Sequence, residues 1–443
     1  MAAWQRKPAG RLLVAANVVD RLISLVLIIC DHCTFLLNGT PKLEALEKQS
    51  TLRQFVSSPL YLGAAIAMFL SGIGMSAAAP QIVLFLVREL NAPIAAAGLF
   101  YLTNLAAPIA GYAIGSFSDR TGDRLGLFRI CALLGSIGWA GIALSISSWM
   151  PFVINAAVLA FSGAAASQLF AAINDDIQAR ETVASDDIVS IVRMALTAGW
   201  VVGPVVGTWI TAQFGIRAML WFTALCFLLQ IAPLGTLATP SLEKGFGTTA
   251  RPLRQRNLKE MLPLLGFTGL FVLVYAGESI KYGFLLLYMD EGLGLDAATR
   301  GAVIGIQPLV ELLIMPFAVL LARKIGMLWL MCGAAILGVL ANICFAAWSS
   351  AMGMFAGQIL MGGVWGVFAA LGIIAAQRLL PTAVATASAI FMSSTALSSA
   401  LGGAAGGLGV AQFGLPHVFL LPAAFSAVAV IGLACMARSM KFS

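Results

Sequence analysis

The chain has 443 residues, of which 60% are hydrophobic and only 10% are charged, and its formal net charge is +7. Because a soluble domain carries about 25% charged residues, this composition excludes an ordinary soluble enzyme, a disordered chain and a disulfide-rich secreted domain. Nucleic-acid binding would need a soluble basic surface, which such a chain does not offer. Five of the seven cysteines lie in apolar runs, so we expect packing residues rather than bridges.

Residues 1–58 do not follow the pattern of the rest of the chain. The apolar stretch 22–37 is short for a membrane span, and it contains Asp31 and His32. A signal peptide is weakly indicated, because no clear small-residue cleavage site follows. A Cys-X-X-Cys pair has the spacing of half a zinc site, but no second pair of ligands follows nearby. We interpret 1–58 as an N-terminal extension of unclear role, either an interfacial segment or the result of a start codon placed too early, and expect no metal site.

From residue 59 onward, apolar runs alternate with short polar or Gly/Pro breaks. The runs have the length of membrane-spanning helices, about 20 residues, and they lack the period-two alternation of outer-membrane barrel strands. The pattern therefore predicts an all-α membrane protein. The twelve predicted spans are 60–86, 94–117, 125–148, 151–173, 187–212, 218–239, 263–289, 301–322, 327–348, 351–376, 383–411 and 417–437.

Lys and Arg residues are concentrated on one side of these spans. With a cytoplasmic N-terminus, the cytoplasmic side carries Arg120, Arg124, Arg180, Lys244, Arg251, Arg254, Arg256, Lys259, Arg323, Lys324, Arg378, Arg438 and Lys441. The opposite side carries only Arg88, Arg217 and Arg300. The positive-inside rule then predicts a multi-pass protein of the cytoplasmic (inner) membrane with both termini in the cytoplasm.

The chain shows signs of an internal duplication. The fifth span reads Gly203-Pro-Val-Val-Gly207 and the eleventh reads Gly402-Gly-Ala-Ala-Gly406, and each is followed at the same distance by Ala-Gln-Phe-Gly. The offset of 199 residues is the same throughout. A shared offset at the same place in each half predicts a duplicated six-helix unit. We expect an N-terminal half at 59–239, a basic cytoplasmic linker at 240–262 and a C-terminal half at 263–443.

The break between spans two and three carries a specific motif. It contains Gly115, Asp119, Arg120, Gly122 and Arg124. This spacing resembles the loop 2–3 signature of the major facilitator superfamily, although Asp123 stands where that family usually has a basic residue. The resemblance implies a conformational latch, because a carboxylate at a helix end can pair with an Arg or with a helix N-terminus. The alternative is a solvated turn. The second half keeps Arg-Lys-Ile-Gly from residue 323, without the acid.

The fifth span carries a second motif, formed by Gly199, Gly203, Pro204 and Gly207. Glycines four apart allow another helix to approach closely, and a proline bends the helix and frees a carbonyl. The motif resembles the signature that exporters of the superfamily have in this helix, which implies export by antiport. The alternative is glycine-mediated packing without further meaning.

Residues about 59–440 also resemble the bacterial sugar efflux transporter family. The matching stretches are Ser167 to Ala171, Val192 to Pro204, Glu311 with Pro316, Trp365 with Gly366, and Gln377. The resemblance implies the fold of the superfamily, with twelve transmembrane helices in two six-helix halves around a central cavity. It further implies secondary active export of sugars or small glycosides by alternating access.

Several charged residues lie within predicted spans, where they are costly and therefore candidates for function. These are Arg193, Glu278, Lys281 and Glu311. Glu278 and Lys281 are three residues apart and share a helix face. We expect Glu278, Lys281 and Glu311 to form a buried charge or proton-coupling group in which Glu278 or Glu311 carries the proton. A purely structural ion-pair network is the alternative.

Sugars are bound by planar hydrogen-bonding groups and by aromatic faces. The predicted substrate-binding residues are Gln81, Gln168, Arg193, Trp200, Tyr275, Gln307, Trp365 and Gln377, with Asn104, Gln358 and Tyr282 as further candidates. Each Trp or Tyr taken alone is more often a packing or interfacial residue. The polar residues Asn174, Asp175 and Asp176 at the end of span four form either a gate or a solvated helix end.

Enzyme chemistry is poorly supported. No phosphate-binding loop motif is present, and the only histidines, His32 and His417, lie at the margins of the spans. We therefore expect no enzyme activity and no cofactor, and expect a sugar, protons and membrane lipid as the partners of a monomer. Two alternatives remain: a proton-coupled multidrug exporter of the same superfamily, and a non-transporting membrane sugar sensor.

Overall fold

The computed structural model describes residues 55–179, 185–237, 258–381 and 384–439, and all regular structure in these ranges is helical. Several predictions lie outside the described residues. They concern residues 1–54 of the N-terminal extension, most of the linker 240–262, and Arg180, Lys244, Arg251, Arg254, Arg256 and Lys441; the side chain of Lys259 is likewise not described.

Eleven helical segments in the described ranges are long and apolar enough to cross a membrane. Each coincides with a predicted span, and the ends differ from the predicted ones by only a few residues in most cases. They are α1 (Pro59–Arg88), α2 (Ile94–Thr121), α3 (Arg124–Ala143), α4 (Met150–Ala179), α5 (Ile188–Phe214), α6 (Ile216–Leu234), α7 (Glu260–Gly292), α8 (Ala297–Ile325), α9 (Met327–Ala347), α10 (Ala351–Leu379) and α12 (His417–Ser439).

The predicted run 383–411 is also helical, and we label the helix Val384–Phe413 as α11. Its 30 residues extend over about 45 Å, which exceeds the thickness of the hydrocarbon core of a bilayer. It is not, however, among the eleven segments named above. Eleven of the predicted spans are thus confirmed, and the twelfth stays a prediction.

Local chemistry explains how consecutive helices are joined by very short turns. Gly122 ends α2 with a φ of 71°, a conformation that a side chain disfavours. Asp123 then caps α3, because its carboxylate accepts a hydrogen bond of 2.8 Å from the Gly126 N–H. This role explains an acid at a position where the superfamily motif has a base. Gly326, with a φ of 88°, makes the corresponding turn between α8 and α9.

The same helix pairs form in both parts of the chain. Helix α5 packs along α1, and α11 packs along α7; α6 packs on α3, and α12 on α9. At Gly203 a Cβ atom would collide with the α1 residues Ile73 and Ser76, and at Gly402 it would collide with Ala276 and Ser279 of α7. Residues 203 and 402 are related by the offset of the sequence repeat, so the repeat corresponds to one packing arrangement that occurs twice.

The contacts between α1–α6 and α7–α12 lie towards one end of the bundle, which we call the closed end. There a Cβ atom added at Gly98 of α2 would lie 2.8 Å from the Cα of Gly407 in α11. A Cβ atom added at Gly301 of α8 would lie 3.0 Å from the Cα of Val205 in α5. The closed end contains the α1–α2, α3–α4, α5–α6, α7–α8, α9–α10 and α11–α12 connections.

The other end of the bundle, which we call the open end, shows the opposite behaviour. A hydrogen bond of 2.8 Å between the two helix groups, from Asn104 Nδ2 in α2 to Ser399 Oγ in α11, lies about halfway along these helices. Beyond it, the described residues of α2 that lie nearer the open end form no hydrogen bond or ion pair with the second group. Gly111 and Gly115 of α2 have no atom within 4 Å of a Cβ position. The two groups therefore separate towards this end.

We expect the substitution Gly203→Ala to destabilise the protein, because the added methyl group meets the α1 backbone at Ile73. Overpacking of this kind costs about 1–3 kcal/mol. Thermal unfolding in detergent should show a lower melting temperature. The matched control is Gly269→Ala in α7, where nothing lies within 4 Å and where alanine should be neutral or stabilising. Equal melting temperatures for the two variants would contradict the proposed α1–α5 packing.

Candidate functional site

A fully buried lysine organises the centre of the bundle. The Lys281 side chain is 0% exposed, and its Nζ donates a hydrogen bond of 2.7 Å to Glu278 Oε1, one turn earlier on α7. It also donates to Gln307 Oε1 of α8. Gln307 in turn donates from Nε2 to Glu278 Oε1 at 2.9 Å. The predicted α7 pair is therefore closed into a triangle by an amide from the neighbouring helix.

The second carboxylate oxygen of Glu278 is bonded from a third helix. Trp365 of α10 donates its indole N–H to Glu278 Oε2 at 2.8 Å. We call Glu278, Lys281, Gln307 and Trp365 the central network. Isolated charges are costly at bilayer depth, and a buried ion pair is tolerated only when further hydrogen bonds satisfy its oxygens and protons. Here α7, α8 and α10 together meet that requirement.

Aromatic side chains flank the central network on two sides. Tyr275 packs edge-on against Trp365, with ring centroids 4.9 Å apart. Trp200 of α5 lies 6.2 Å from Tyr282 of α7 in a tilted arrangement, and Lys281 Nζ is 4.7 Å from the centre of the Tyr282 ring. Because Trp200 and Tyr282 belong to different helix groups, the aromatic surface extends across the boundary between them.

Two of the predicted charged residues do not join the central network. Glu311 follows Gln307 by one turn of α8 and is half-buried; within the described ranges it makes no hydrogen bond or ion pair. Arg193 of α5 is exposed, and its side chain likewise has no bonded partner among the described residues. It precedes Trp200 by seven residues, so the two share one face of α5.

The predicted substrate-binding residues separate into two sets. Trp200, Tyr275, Gln307 and Trp365 lie together at the centre. The other amides are engaged elsewhere: Gln81 accepts a hydrogen bond of 2.6 Å from Thr211 towards the closed end, and Gln377 donates at 2.9 Å to Ser388 at the open end. Gln168 accepts from Ser118, near the α2–α3 turn.

The predicted latch motif forms a compact polar cluster at the open end. Arg124 Nη1 donates to Asp119 Oδ1 and to Ser118 Oγ, both at 2.7 Å, and Arg124 Nε donates to Asp175 Oδ2 at 3.1 Å. The Asp119 side chain remains 71% exposed, and Arg120 is exposed as well. In this conformation the cluster joins α2, α3 and α4 of one helix group and makes no bond to the other group within the described ranges.

The predicted exporter motif in α5 contacts both neighbouring helices. Gly199, Gly203 and Gly207 lie against α1, where a Cβ atom at each position would meet backbone or Cβ atoms. Pro204 lies on the side facing α8, and its carbonyl oxygen would be 3.3 Å from a Cβ at Gly301. The motif therefore allows close approach within one helix group and also between the two groups.

A charged cluster at the closed end was not recognised from the sequence. Arg88 at the end of α1 forms ion pairs with Asp290 and Glu291 at the end of α7, and Asp290 also pairs with Arg300 of α8. We call these four residues the closed-end cluster. Sequence signals were present, since each residue lies at a helix end, but only the tertiary arrangement shows which helix ends meet. Ser118 and Asp175 were likewise missed as partners of Arg124.

The arrangement of two similar helix groups around a central polar network agrees with a comparison against known families. The model of the Major Facilitator Superfamily matches residues 64–276 and 267–440. The chain belongs to the major facilitator superfamily. This is a superfamily of multi-pass membrane transporters for small molecules rather than of enzymes, so the predicted family and fold class are confirmed.

Similar proteins of the superfamily cover most of the chain. A Deinococcus radiodurans protein that is named as a sugar efflux transporter is 28% identical to this chain over 378 residues, which is 84% of this chain and 96% of that protein. Sugar efflux transporter A of Dickeya chrysanthemi is 27% identical over 375 residues, covering 84% of this chain and 94% of the relative. A crystal structure of a variant of the nucleoside transporter NupG shares the fold, with a TM-score of 0.72, 16% identity, and coverage of 85% and 99%.

We expect Lys281→Met to destabilise the protein strongly, because it leaves the Glu278 carboxylate buried without a cation. Breaking a buried ion pair from one side costs about 3–5 kcal/mol. The double variant Glu278→Gln/Lys281→Met removes both charges and should recover most of the loss. Melting temperatures in detergent test this expectation. A double variant no more stable than Lys281→Met would show that the pair is not the source of the effect.

We expect Arg88→Gln to loosen the closed end, because it removes the only cation of α1 that reaches α7. Hydrogen–deuterium exchange should become faster at residues 286–300. The control is Arg217→Gln: Arg217 pairs with Glu89 at 3.1 Å, but both lie within the first helix group. If both variants accelerate exchange at 286–300 equally, the closed-end cluster does not hold the two groups together.

Proposed function

We propose that the protein exports sugars or small glycosides across the cytoplasmic membrane by proton antiport with alternating access. The observation that carries the proposal is the central network, which lies between two aromatic pairs at the middle of the spans, where the two helix groups meet. The similarity to sugar efflux transporters over 84% of the chain supports a sugar as the substrate.

The chemistry of the centre suits a sugar ring. Sugars present hydroxyl groups around the ring and C–H groups on its faces, so they bind to hydrogen-bonding groups beside aromatic surfaces. Gln307 and Glu278 provide donors and acceptors, and the Tyr275–Trp365 and Trp200–Tyr282 pairs provide the aromatic surfaces. We assign the first contact to these four aromatic residues, and we assign Gln81, Gln168, Arg193 and Gln377 to a later stage of the transport cycle.

Proton coupling requires a carboxylate that can change its charge without dismantling the protein. Glu278 accepts three hydrogen bonds from Lys281, Gln307 and Trp365, and protonation would disturb all of them. Glu311 has no such bonds among the described residues. Of the two candidates, Glu311 is therefore the better proton carrier, and Glu278 is the better anchor of the binding site.

The two ends of the bundle define the transport states. The Lys and Arg distribution assigns the open end to the cytoplasm, so the described conformation receives substrate from inside the cell. We propose that the halves 59–239 and 263–443, joined by the linker 240–262, rock against each other as rigid bodies. Asp119 and Arg120 would then meet the second half when the open end closes. A monomer contains all the parts that this cycle needs.

A multidrug exporter is the second candidate, and one observation favours it. An aromatic cluster surrounds the central network: Phe271 contacts Phe391, with centroids 4.5 Å apart, and also contacts Tyr275 and Trp365. Of the amides predicted for sugar binding, only Gln307 lies at the centre. A lipophilic cation would find aromatic faces and a carboxylate there.

Flux through proteoliposomes tests the proposal. We expect labelled lactose or glucose inside the vesicles to leave faster when the outside is acidic, and to slow when the pH gradient is collapsed. Excess unlabelled sugar should compete, whereas a lipophilic cation should not. Competition by the cation alone would favour the multidrug reading, and sugar binding without any flux would favour the sensor.

The variant Glu311→Gln separates substrate binding from coupling. Because the glutamine keeps the shape but cannot lose a proton, we expect sugar exchange across the membrane to continue while acceleration by the pH gradient disappears. Arg438→Gln, a change of an exposed residue at the end of α12, is the control and should keep the response to the gradient. If Glu311→Gln retains the full acceleration by the gradient, the proton is carried elsewhere.

A further inference from the structure

We infer that Arg193 of α5 and Glu311 of α8 form an ion pair in the second conformation of the transporter, in which the open end is closed, and that protonation of Glu311 breaks this pair. The inference rests on the proposed proton antiport and deepens it, since it names the partner that links the charge of Glu311 to the direction in which the protein opens.

The register of the two helices places these residues at the same depth. At the closed end, Gly301 of α8 packs against Val205 of α5, where an added Cβ atom would lie 3.0 Å from the Val205 Cα. One turn further along α8, a Cβ atom added at Gly305 would lie 3.0 Å from the carbonyl oxygen of Val201. The helices are antiparallel, so each step forward on α8 corresponds to a step back on α5. Six residues beyond Gly305, Glu311 is level with residue 195, about 3 Å along the axis from Arg193.

Both side chains also leave their helices towards the interior. Arg193 shares its helix face with Trp200, which contacts Tyr282 of the second helix group. Glu311 shares its face with Gln307, whose amide bonds Glu278 and Lys281. We therefore infer that both residues face the interior of the bundle and that the exposed Arg193 faces an open space in this conformation.

The two charges are unpaired only because the bundle is open at this end. The glycine contacts between α5 and α8 lie on the closed-end side of Arg193 and Glu311. Closure of the open end brings the remaining parts of α5 and α8 together and removes water from between them. Charges that lose their water at bilayer depth must pair or become neutral, and an arginine side chain is long enough to bridge neighbouring helices.

The surroundings of Glu311 leave Arg193 as its partner. Helix α7 presents Glu278, Lys281, Tyr275 and Tyr282, and Lys281 is already bonded to Glu278 and Gln307. Helix α10 presents Trp365 and carries its single charge, Arg378, at the open end; α9 has no acidic or basic side chain. Among the described groups that face Glu311, Arg193 is thus the cation without a bonded partner.

The pair would give antiport a direction. With Glu311 charged, the Arg193–Glu311 pair stabilises the conformation closed towards the cytoplasm, in which substrate leaves to the outside. A proton that arrives from the acidic outside neutralises Glu311 and removes the attraction, so the protein reopens towards the cytoplasm. There Glu311 releases the proton and substrate enters. The pair therefore makes the carrier reopen towards the cytoplasm more readily when Glu311 has bound a proton than when it has not.

Pulsed electron paramagnetic resonance on the full chain in lipid nanodiscs tests the inference. Spin labels are placed at Tyr112 of α2 and Met392 of α11, both exposed, after replacement of the native cysteines that react with the label. The α2–α11 register, set by Tyr101 against Gly403 and by Asn104 against Ser399, places the two labels at equal depth. We expect the ratio of short to long distances to rise about tenfold or more between pH 5 and pH 8.

Variants of Arg193 and Glu311 show whether these two residues cause the pH response of the distance ratio. Glu311→Gln and Arg193→Gln should each favour the long distance and give the same ratio of short to long distances at both pH values, because each can still alternate but has lost the pH-dependent pair. The exchanged pair Arg193→Glu/Glu311→Arg should regain the response. Arg193→Lys keeps the charge and should keep the response, so it serves if Arg193→Gln misfolds. Arg438→Gln is the control and should behave as the unsubstituted protein. An unchanged pH response in a folded Arg193→Gln or Glu311→Gln variant would overturn the inference.

Parallel flux measurements distinguish this result from a failure of the proposed function. A pH response that needs both residues, without movement of sugar, would leave the pair standing and remove the sugar assignment. Proton-coupled sugar flux together with an Arg193→Gln variant that closes normally would leave the function standing and remove the pair.

Discussion

The structure depends on one constraint, which is that the Glu278 carboxylate lies in the middle of a membrane-spanning helix. A charge at that depth is tolerated only with a full set of partners, and these come from Lys281 on its own helix, Gln307 on α8 and Trp365 on α10. The requirement fixes three helices relative to one another. It also positions the aromatic rings of Tyr275 and Trp365 beside a polar centre, which makes the centre suited to a polar ligand with apolar faces.

The remaining contacts divide the bundle into a rigid part and a part that can open. Glycine faces hold α5 against α1 and α11 against α7 at backbone distance, so the helices within each group are closely packed. Among the described residues, the ion pairs and close glycine contacts between the groups lie in the half of the bundle towards the closed end. The cluster around Arg124 at the open end is internal to one group. Such a distribution fits a carrier that exchanges one closed end for the other.

Much of the fold could be predicted from the sequence, because apolar runs, glycine turns and the placement of Lys and Arg are local signals. The Glu278–Lys281 pair could also be predicted, since three-residue spacing places both on one face. Polarity alone did not show where an amide would point: Gln168 bonds Ser118 in the latch cluster, and Gln81 bonds Thr211. The pairing of Arg88 with Asp290 could not be predicted, because it depends on which helix ends meet in space. Asp123 departs from the family motif but has a local reason, the capping of α3.

The most direct test of this account is a structure of the protein in lipid nanodiscs at saturating sugar. The account predicts density for a sugar ring between the Tyr275–Trp365 and Trp200–Tyr282 pairs, with hydroxyl groups within hydrogen-bond distance, about 3 Å, of Gln307 or Glu278. A sugar bound outside this space, with the central network unchanged and uncontacted, would contradict the account. It would show that the network serves the stability of the fold and that transport uses another site.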